Sequence, residues 1–311
     1  LAQQFNLEIW DRSQAPPREV IISKAREADA LVTLLSDKID CEVLNDAKTR
    51  IIAQYAVGFD NVDLRCATER GIYVTNTPDV LTEATAEFTW ALILSVARRV
   101  VEGDHFVRFG EWYRTSTNWH PTMLMGMELQ NKVLGVVGLG RIGRRTAEIA
   151  KAFGMRVIYW SRTQHEDAEK AGINYAPLDA LLKTSDVVSL NLPLSKETKG
   201  IINADKLKIM KPSAILVNTG RGSLIDTDAL VEALKDGLIA GAGLDVYEQE
   251  PLPENHALTA FKNVVLAPHA ASATYESRHG MAELVAENLL AFKGERVPPT
   301  LVNKEVTEIR R

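Results

Sequence analysis

Short apolar runs alternate with helical patterns along most of the chain. Runs of about four to six apolar residues predict buried strands, and apolar residues recurring with a 3.6-residue period predict amphipathic helices. A strand followed by a helix, repeated many times, is typical of βαβ units and a mainly parallel sheet. The predicted strands are 7–10, 30–33, 50–54, 73–75, 133–137, 155–160, 187–192, 214–218, 239–244 and 264–266.

Helical patterns fill most of the gaps between these strands. The predicted helices are 83–100, 141–153, 178–183, 204–209, 226–235 and 273–292. Thr82 or Asp79 could cap the first of them, and Gly154 is placed to end the second. The segment 110–126 has no clear period and contains Trp112 and Trp119. We predict that it is an exposed arm or a long loop.

Composition narrows the class of protein. The 311 residues are 46% hydrophobic and 25% charged, which suits a globular chain of two domains. The net charge of −5 provides no general basic field, so we expect no nucleic-acid partner. No apolar run approaches the roughly 18–20 residues that span a bilayer, so no membrane partner is expected either.

The two cysteines and the start of the chain indicate in which cellular compartment the protein is expected. Cys41 and Cys66 have neither metal-binding nor redox-motif spacing, and two free thiols favour a reducing compartment such as the cytoplasm. We also predict no metal site. The chain begins at Leu1 without Met, and residues 1–5 resemble the middle of a helix. We therefore expect that preceding residues, with room for a targeting segment, have been removed.

A glycine-rich turn follows the strand 133–137 and begins the helix 141–153. Its G-x-G-x-x-G pattern comprises Gly138, Leu139, Gly140, Arg141, Ile142 and Gly143. In this context the first glycine allows a tight turn, the second admits a pyrophosphate and the third allows close helix–strand packing. The amides at the helix start can then hold a diphosphate. The turn therefore predicts a dinucleotide site.

The end of the next strand bears on which dinucleotide binds. An NAD site has an Asp or Glu about 20 residues beyond the glycines, where it bonds the ribose 2′-hydroxyl. Here Ser161, Arg162 and Thr163 follow the strand instead. An Arg forms charge-assisted bonds to a 2′-phosphate, and the hydroxyls add donors. These residues predict NADPH, with NADH as the weaker alternative.

Three other segments carry polar residues directly after predicted strands. They are 218–222, 243–251 and 267–272, which supply Arg221, Glu248 or Glu250, and His269. The carboxyl ends of parallel strands meet at the ligand-binding edge of such a sheet. Reduction of a 2-keto acid needs a cation for the carboxylate, a proton donor near neutral pH, and a carboxylate to orient that donor. We assign Arg221 as substrate clamp and His269 as general acid.

These motifs together resemble the D-isomer-specific 2-hydroxyacid dehydrogenases over essentially the whole chain. The spacings of 29 residues from Arg221 to Glu250 and 19 from Glu250 to His269 fit that family, and they select Glu250 as the partner of His269. Within the family the chain is most similar to the glyoxylate and hydroxypyruvate reductases, notably their archaeal type.

The resemblance implies further site residues. Residues 57–63 match the family's substrate loop, which implies that the amides of Val57 and Gly58 bind the substrate carboxylate. Trp119 matches an arm residue that reaches the active site of the partner subunit. The resemblance also implies contacts to the cofactor from Pro193, Thr198, Thr219, Gly220, Asp245, His269 and Ala271.

The implied architecture is α/β, with two Rossmann-like domains, doubly wound parallel sheets and an active cleft between them. The NADP-binding domain is expected at 78–268. The substrate domain is expected to combine 1–77 with 269–311 and to lack a first strand before Leu1. The helix from Glu83 would cross between the domains, and a homodimer would form through the cofactor domains.

The predicted activity is reduction of glyoxylate or hydroxypyruvate by NADPH. A D-3-phosphoglycerate dehydrogenase is one alternative, although Arg221 alone provides little cationic charge for a phosphate. A D-lactate dehydrogenase is another, usually with NADH. A dinucleotide-sensing scaffold of the corepressor type is the alternative from a different class.

Overall fold

The computed structural model describes residues 1–12, 14–116 and 118–309. It divides into two compact units, one made of Leu1–Leu81 with Thr274–Arg311 and the other of Thr82–Ala273. These bounds lie four and five residues beyond the predicted ones at 77 and 268. The helices in chain order are α1 (Arg18–Glu27), α2 (Cys41–Leu44), α3 (Leu64–Glu69), α4 (Thr82–Ala97), α5 (Val100–Arg108), α6 (Glu111–Thr115), α7 (Arg141–Ala152), α8 (Glu166–Lys170), α9 (Leu178–Thr184), α10 (Ala204–Lys208), α11 (Thr227–Lys235), α12 (Tyr275–Lys293) and α13 (Val306–Ile309).

The strands form two separate parallel sheets. In chain order they are β1 (Ala30–Thr33), β2 (Ile51–Gln54), β3 (Tyr73–Thr75), β4 (Val133–Val137), β5 (Arg156–Trp160), β6 (Ile173–Tyr175), β7 (Val187–Leu190), β8 (Ile215–Asn218), β9 (Gly241–Leu244) and β10 (Val264–Leu266). The α/β class and the parallel sheets predicted from the sequence are confirmed. Nine of the ten predicted strands are present, with ends shifted by at most two residues.

The first unit is built on the three-stranded sheet β1-β2-β3. Its central strand β2 is buried on both faces, as the apolar run 51–53 requires. On one face Ile52 packs among the residues around α1, α2 and α3, and on the other Ile51 packs against Val285 and Leu289 of α12. Helix α12, far along the chain from these strands, therefore completes the core that the N-terminal strands begin.

Three expectations about this unit are wrong. Residues 7–10 form no strand, and Ile9 is 76% exposed, because no strand among the described residues pairs with this segment. Residues 1–5 form turns and no helix. Cys41 and Cys66 are not free thiols but a disulfide, since α2 and α3 bring their Cα atoms to 5.5 Å across a separation of 25 residues.

The second unit is built on the seven-stranded sheet β10-β9-β8-β7-β4-β5-β6. The chain starts in the middle at β4, runs outward through β5 and β6, and then returns to β7 on the other side of β4. The strand order therefore reverses between β4 and β7, which is the position where ligands bind in doubly wound sheets. The glycine turn leaves β4 at this point.

The segment after α4 differs from its prediction. The helix predicted to reach residue 100 ends at Ala97, and a second helix, α5, begins at Val100 after Arg99 adopts a left-handed conformation with φ 53°. Gly126 lies at this break, where a Cβ would be 2.2 Å from the carbonyl oxygen of Ala97. The returning chain thus passes directly against the end of α4.

The predicted arm is more ordered than expected. It contains the short helix α6 at Glu111–Thr115, and Tyr113 and Trp119 are 89% and 76% exposed. Thr117 of this arm lies outside the described residues.

Among the described residues, none of the helices combines the length and the apolar character needed to cross a membrane.

Candidate active site

The three glycines of the turn after β4 occupy three different environments. Gly138 has φ 98°, a conformation that favours glycine, and its amide donates to the Trp160 carbonyl at 2.8 Å. A Cβ at Gly143 would lie 2.0 Å from the Gly138 oxygen, so α7 can pack this closely only with glycine there. Gly140 is exposed, and a Cβ on it would meet no atom within 4 Å. The open side at Gly140 fits the approach of a pyrophosphate to the start of α7.

The turn after β5 presents no carboxylate. Ser161 Oγ donates to the Thr163 carbonyl at 2.5 Å, while Arg162 and Thr163 are exposed. The pKa of Glu197 is lowered, chiefly by a hydrogen bond from Ser195 and to a smaller extent by the positive charge of Arg162. Arg162 therefore lies close enough to the loop after β7 for its charge to act there.

The loop after β7 is closed by a hydroxyl. Thr198 Oγ1 donates to the Pro193 carbonyl at 2.8 Å and accepts from the Ser195 amide at 2.7 Å. The structure thus brings together Pro193 and Thr198, two of the predicted cofactor contacts. Sequence reasoning did not single out Ser195, which lies between them.

The side chain of Asn218 shapes the turn after β8. This fully buried amide donates to the Arg221 carbonyl at 2.8 Å, and its oxygen accepts from the Gly220 amide at 3.0 Å. The Arg221 guanidinium itself donates to the Gly220 carbonyl at 2.9 Å. Thr219 shares a hydroxyl–hydroxyl hydrogen bond of 2.8 Å with Thr89 of α4. Neither Asn218 nor Thr89 was predicted as a site residue, because side-chain contacts to a turn leave no periodic signal.

Asp245, directly after β9, holds the segment that follows β10. Its carboxylate is fully buried and accepts from the amides of Ala270 at 2.7 Å and Ala271 at 2.8 Å. The His269 amide donates to the Asp245 carbonyl at 2.8 Å. Burial raises the pKa of Asp245, although the two amide hydrogen bonds favour its charged form. One residue therefore anchors three consecutive amides beside the predicted general acid.

His269 and Glu250 form a direct pair. His269 Nδ1 lies 2.7 Å from Glu250 Oε2, and the other carboxylate oxygen of Glu250 accepts from the Tyr247 amide at 3.0 Å. Burial raises the pKa of Glu250, but the hydrogen bonds from His269 and Tyr247 and the nearby positive charges outweigh it, so the pKa is lowered. The side chains are 30% and 36% exposed, which leaves the imidazole accessible to a ligand.

Arg221 lies beside this pair. A Cβ at Gly222 would be only 1.8 Å from the Tyr247 carbonyl carbon, so glycine allows the Arg221 turn to touch the segment that carries Glu250. The charge of Arg221 contributes to the lowered pKa of Glu250. The structure thus brings Arg221, Glu250 and His269 together at the carboxyl ends of β8, β9 and β10.

The substrate loop belongs to the first unit. The carbonyl of Ala56 accepts from the Thr77 amide at 2.9 Å, and the carbonyl of Val57 accepts from Asn76 Nδ2 at 2.8 Å. Val57 and Gly58 are half-buried residues, and their amides donate to no acceptor among the described residues. Two adjacent unused donors of this kind are suited to binding an anion.

Comparison with known proteins decides the family. Residues 90–271 match the family model described as D-isomer specific 2-hydroxyacid dehydrogenase, NAD binding domain. The chain belongs to this family. The matched segment contains the glycine turn and the whole cluster of Arg221, Glu250 and His269.

Curated members of the dehydrogenase family resemble the chain along its full length. The glyoxylate reductase of Aeropyrum pernix is 62% identical, with 100% of this chain and 93% of the relative covered. The glyoxylate reductase of Thermococcus kodakarensis is 55% identical, with 100% of this chain and 94% of the relative covered.

Solved structures of the dehydrogenase family share the fold. An NADPH-dependent glyoxylate/hydroxypyruvate reductase of Sinorhizobium meliloti, solved with NADP and malonate, is 36% identical with a TM-score of 0.83, covering 93% of this chain and 88% of that one. A D-lactate dehydrogenase of Aquifex aeolicus, solved with NAD and lactic acid, is 32% identical with a TM-score of 0.86, covering 97% and 94%.

Proposed function

We propose that this dehydrogenase reduces glyoxylate to its 2-hydroxy acid with NADPH, and that hydroxypyruvate is a second substrate. The observation that carries the proposal is the hydrogen bond of 2.7 Å between His269 and Glu250, placed beside Arg221 at one edge of the sheet. The glyoxylate reductases among the relatives support the choice of substrate.

Each residue of the cluster has a chemical role in this reaction. The nicotinamide, when bound, supplies the hydride. His269, held at Nδ1 by Glu250, donates the proton on Nε2 to the keto oxygen as negative charge develops there. The Arg221 guanidinium binds the substrate carboxylate and polarises the carbonyl, and the amides of Val57 and Gly58 bind the carboxylate oxygens.

The cofactor would be held by the unit Thr82–Ala273. The residues from Gly138 to Gly143 would hold the diphosphate, and Arg162 with Ser161 and Thr163 would hold a 2′-phosphate. The absence of a carboxylate from the turn after β5 supports NADPH over NADH, as do the NADPH-dependent members of the family. Thr219, Gly220, Asp245 and Ala271 would surround the nicotinamide.

Steady-state kinetics test this proposal. Glyoxylate, hydroxypyruvate and pyruvate are each measured with NADPH and with NADH, and kcat/KM is compared across the six pairs. We expect the highest value for glyoxylate with NADPH. Turnover of none of the six pairs would overturn the proposed activity.

The second candidate is a D-lactate dehydrogenase that reduces pyruvate with NADH. The Aquifex aeolicus structure with NAD and lactic acid favours it. The turn after β5 argues against it, because Arg162 stands where an NAD site has an acidic residue. A higher kcat/KM for pyruvate with NADH than for glyoxylate with NADPH would establish this alternative.

We also propose a homodimer formed through the second unit. Large apolar side chains are exposed along α5, α6 and the arm, and such a patch marks an interaction surface. The exposed residues are Val100, Val107, Phe109, Trp112, Tyr113, Trp119 and Met125. Sedimentation of the wild type and of Phe109→Asp tests this. We expect a dimer that weakens in the variant, and a wild-type monomer would refute the proposal.

A further inference from the structure

Asn76 contacts the backbone of the substrate loop from the end of β3. Its Nδ2 donates to the carbonyl of Val57 at 2.8 Å. The next amide, that of Thr77, donates to the carbonyl of Ala56 at 2.9 Å. Two successive carbonyls of the loop are therefore held by two successive residues after β3.

These contacts fix the direction of two amides. In a trans peptide the C=O and N–H of one plane point in opposite directions. The Ala56 carbonyl shares its plane with the Val57 amide, and the Val57 carbonyl shares its plane with the Gly58 amide. Anchoring both carbonyls to residues 76 and 77 therefore turns both N–H groups to the other side, next to each other. Two donors aimed in this way match the two oxygens of a carboxylate.

The backbone of Asn76 is hydrogen-bonded to the C-terminal part of the chain. Thr300 Oγ1 donates to the Asn76 carbonyl at 2.6 Å and accepts from Asn288 Nδ2 at 2.7 Å. Asn288 is fully buried on α12, and its oxygen accepts from the Thr300 amide at 3.1 Å. A buried polar chain thus runs from α12 through Thr300 to Asn76.

The far side of the loop is held by Gln54, at the end of β2. This fully buried side chain donates to the Gly58 carbonyl at 3.3 Å and to Asn61 Oδ1 at 2.9 Å. Because Gln54 anchors the Gly58 carbonyl, the orientation of the Val57–Gly58 peptide depends mainly on the bond from Asn76 to the Val57 carbonyl.

We propose that Asn76 is a positioning residue for the substrate carboxylate, acting through the orientation of the Val57–Gly58 peptide and supported by Thr300. This inference rests on the proposed binding of a 2-keto acid by the amides of Val57 and Gly58. Asn76 need not touch the substrate. Its effect should fall on recognition of the acid and leave cofactor binding unchanged.

The test compares Asn76→Ala with wild type in the full-length enzyme. With glyoxylate and NADPH, we expect KM for the acid to rise about tenfold, the factor that corresponds to one misdirected hydrogen bond to a charged group. The KM for NADPH and kcat at saturating acid should change by no more than about twofold, because no full interaction with the cofactor, which would be worth about tenfold, is lost. Thr300→Val, which removes the hydroxyl that links Asn288 to Asn76, should raise KM in the same direction by a smaller factor.

Asn303→Ala is the matched control. Asn303 is also buried in the first unit, and it donates to the Ile72 carbonyl and accepts from the Val74 amide, away from the loop. We expect Asn303→Ala to lower the thermal midpoint while leaving KM unchanged. An equal rise of KM in both variants would show general loosening of the unit and overturn the inference. An unchanged KM in Asn76→Ala would also overturn it.

An error in the proposed substrate can be distinguished from an error in the proposed role of Asn76. If wild type reduces pyruvate and not glyoxylate, the same comparison is made with pyruvate and still decides the role of Asn76. If no keto acid is turned over, calorimetric titration of the NADPH-bound protein with oxamate gives the comparison instead. Equal oxamate affinity of wild type and Asn76→Ala, or binding by neither, would then reject the positioning role.

Discussion

Replacing Glu250 by Gln removes the charge beside His269 while nearly preserving shape. The carboxylate accepts from both the Tyr247 amide and His269 Nδ1. A Gln side chain has one accepting oxygen, so its NH2 group must face one of these donors. If it faces Nδ1, its N–H groups oppose the N–H that Nδ1 of the proposed proton donor directs at Glu250. If it faces Tyr247, a backbone amide loses its acceptor.

The size of the effect follows from distance and exposure. Two unit charges 4 Å apart attract by about 4 kcal/mol at an effective dielectric of 20. The side chains of His269 and Glu250 are 30% and 36% exposed, so solvent reduces this to about 1.5–2 kcal/mol. Each 1.36 kcal/mol corresponds to about a factor of ten in rate. We therefore expect kcat/KM for the keto acid to fall by about 10–30-fold near neutral pH.

The pH dependence gives a second readout. This readout is the acid stability of the fold, to which the charge of Glu250 contributes. In wild type the pKa of Glu250 is lowered, so the stability it contributes is complete above the unfolded pKa and is lost as pH falls through the folded one. Glu250→Gln should therefore show less steep acid unfolding.

The assay is NADPH oxidation by glyoxylate across the pH range, with Glu248→Gln as the matched control. Glu248 lies in the same turn and is exposed, so the control loses the same formal charge near the site. We expect Glu248→Gln to keep the wild-type profile. If the two variants behave alike, the pairing of Glu250 with His269 does not drive proton donation.

Three further predictions concern the cofactor, the proton donor and the disulfide. Arg162→Asp should lower kcat/KM with NADPH about 10–100-fold relative to NADH, since a charge-assisted bond to a phosphate is lost. Arg144→Ala is the control, because Arg144 pairs with Asp167 at 2.5 Å. An unchanged cofactor preference in Arg162→Asp would show that Arg162 does not bind the 2′-phosphate. His269→Gln should reduce kcat by roughly 10²–10⁴-fold while leaving NADPH affinity, measured by fluorescence titration, unchanged; near-normal turnover would remove His269 from the acid role. Replacing both cysteines of the Cys41–Cys66 disulfide by Ala should lower the free energy of unfolding by about 3 kcal/mol for a loop of 25 residues, without changing KM; urea midpoints equal to wild type would refute this.

The sequence predicted best those features that depend on local pattern. β4 and its glycine turn were found because five consecutive apolar or small residues precede a fixed glycine spacing. Arg221, Glu250 and His269 could be grouped because parallel strands end at one edge of the sheet. The family spacing then chose Glu250 over Glu248, and the geometry agrees, since Glu250 is the carboxylate hydrogen-bonded to the imidazole.

Features that depend on tertiary contacts could not be predicted. The pattern of 7–10 suits a strand, but pairing requires a neighbour that the sequence does not identify. The disulfide depends on how α2 and α3 pack, and a separation of 25 residues says nothing of their distance. Asn76 and Asn218 orient functional loops through side-chain bonds to the backbone, and an isolated Asn in a turn has many other uses.

Asp245 connects the turn after β8 to the segment after β10 through hydrogen bonds. Its amide donates to the Asn218 carbonyl, the His269 amide donates to its carbonyl, and its carboxylate holds Ala270 and Ala271. The hydrogen-bond ladder of β8, β9 and β10 therefore continues beyond the strands into the turns that carry Arg221, Glu250 and His269. A redesign for a bulkier acid that reshaped any of these turns would displace His269 together with Arg221. Changes of substrate range are better sought in segments that do not share this scaffold.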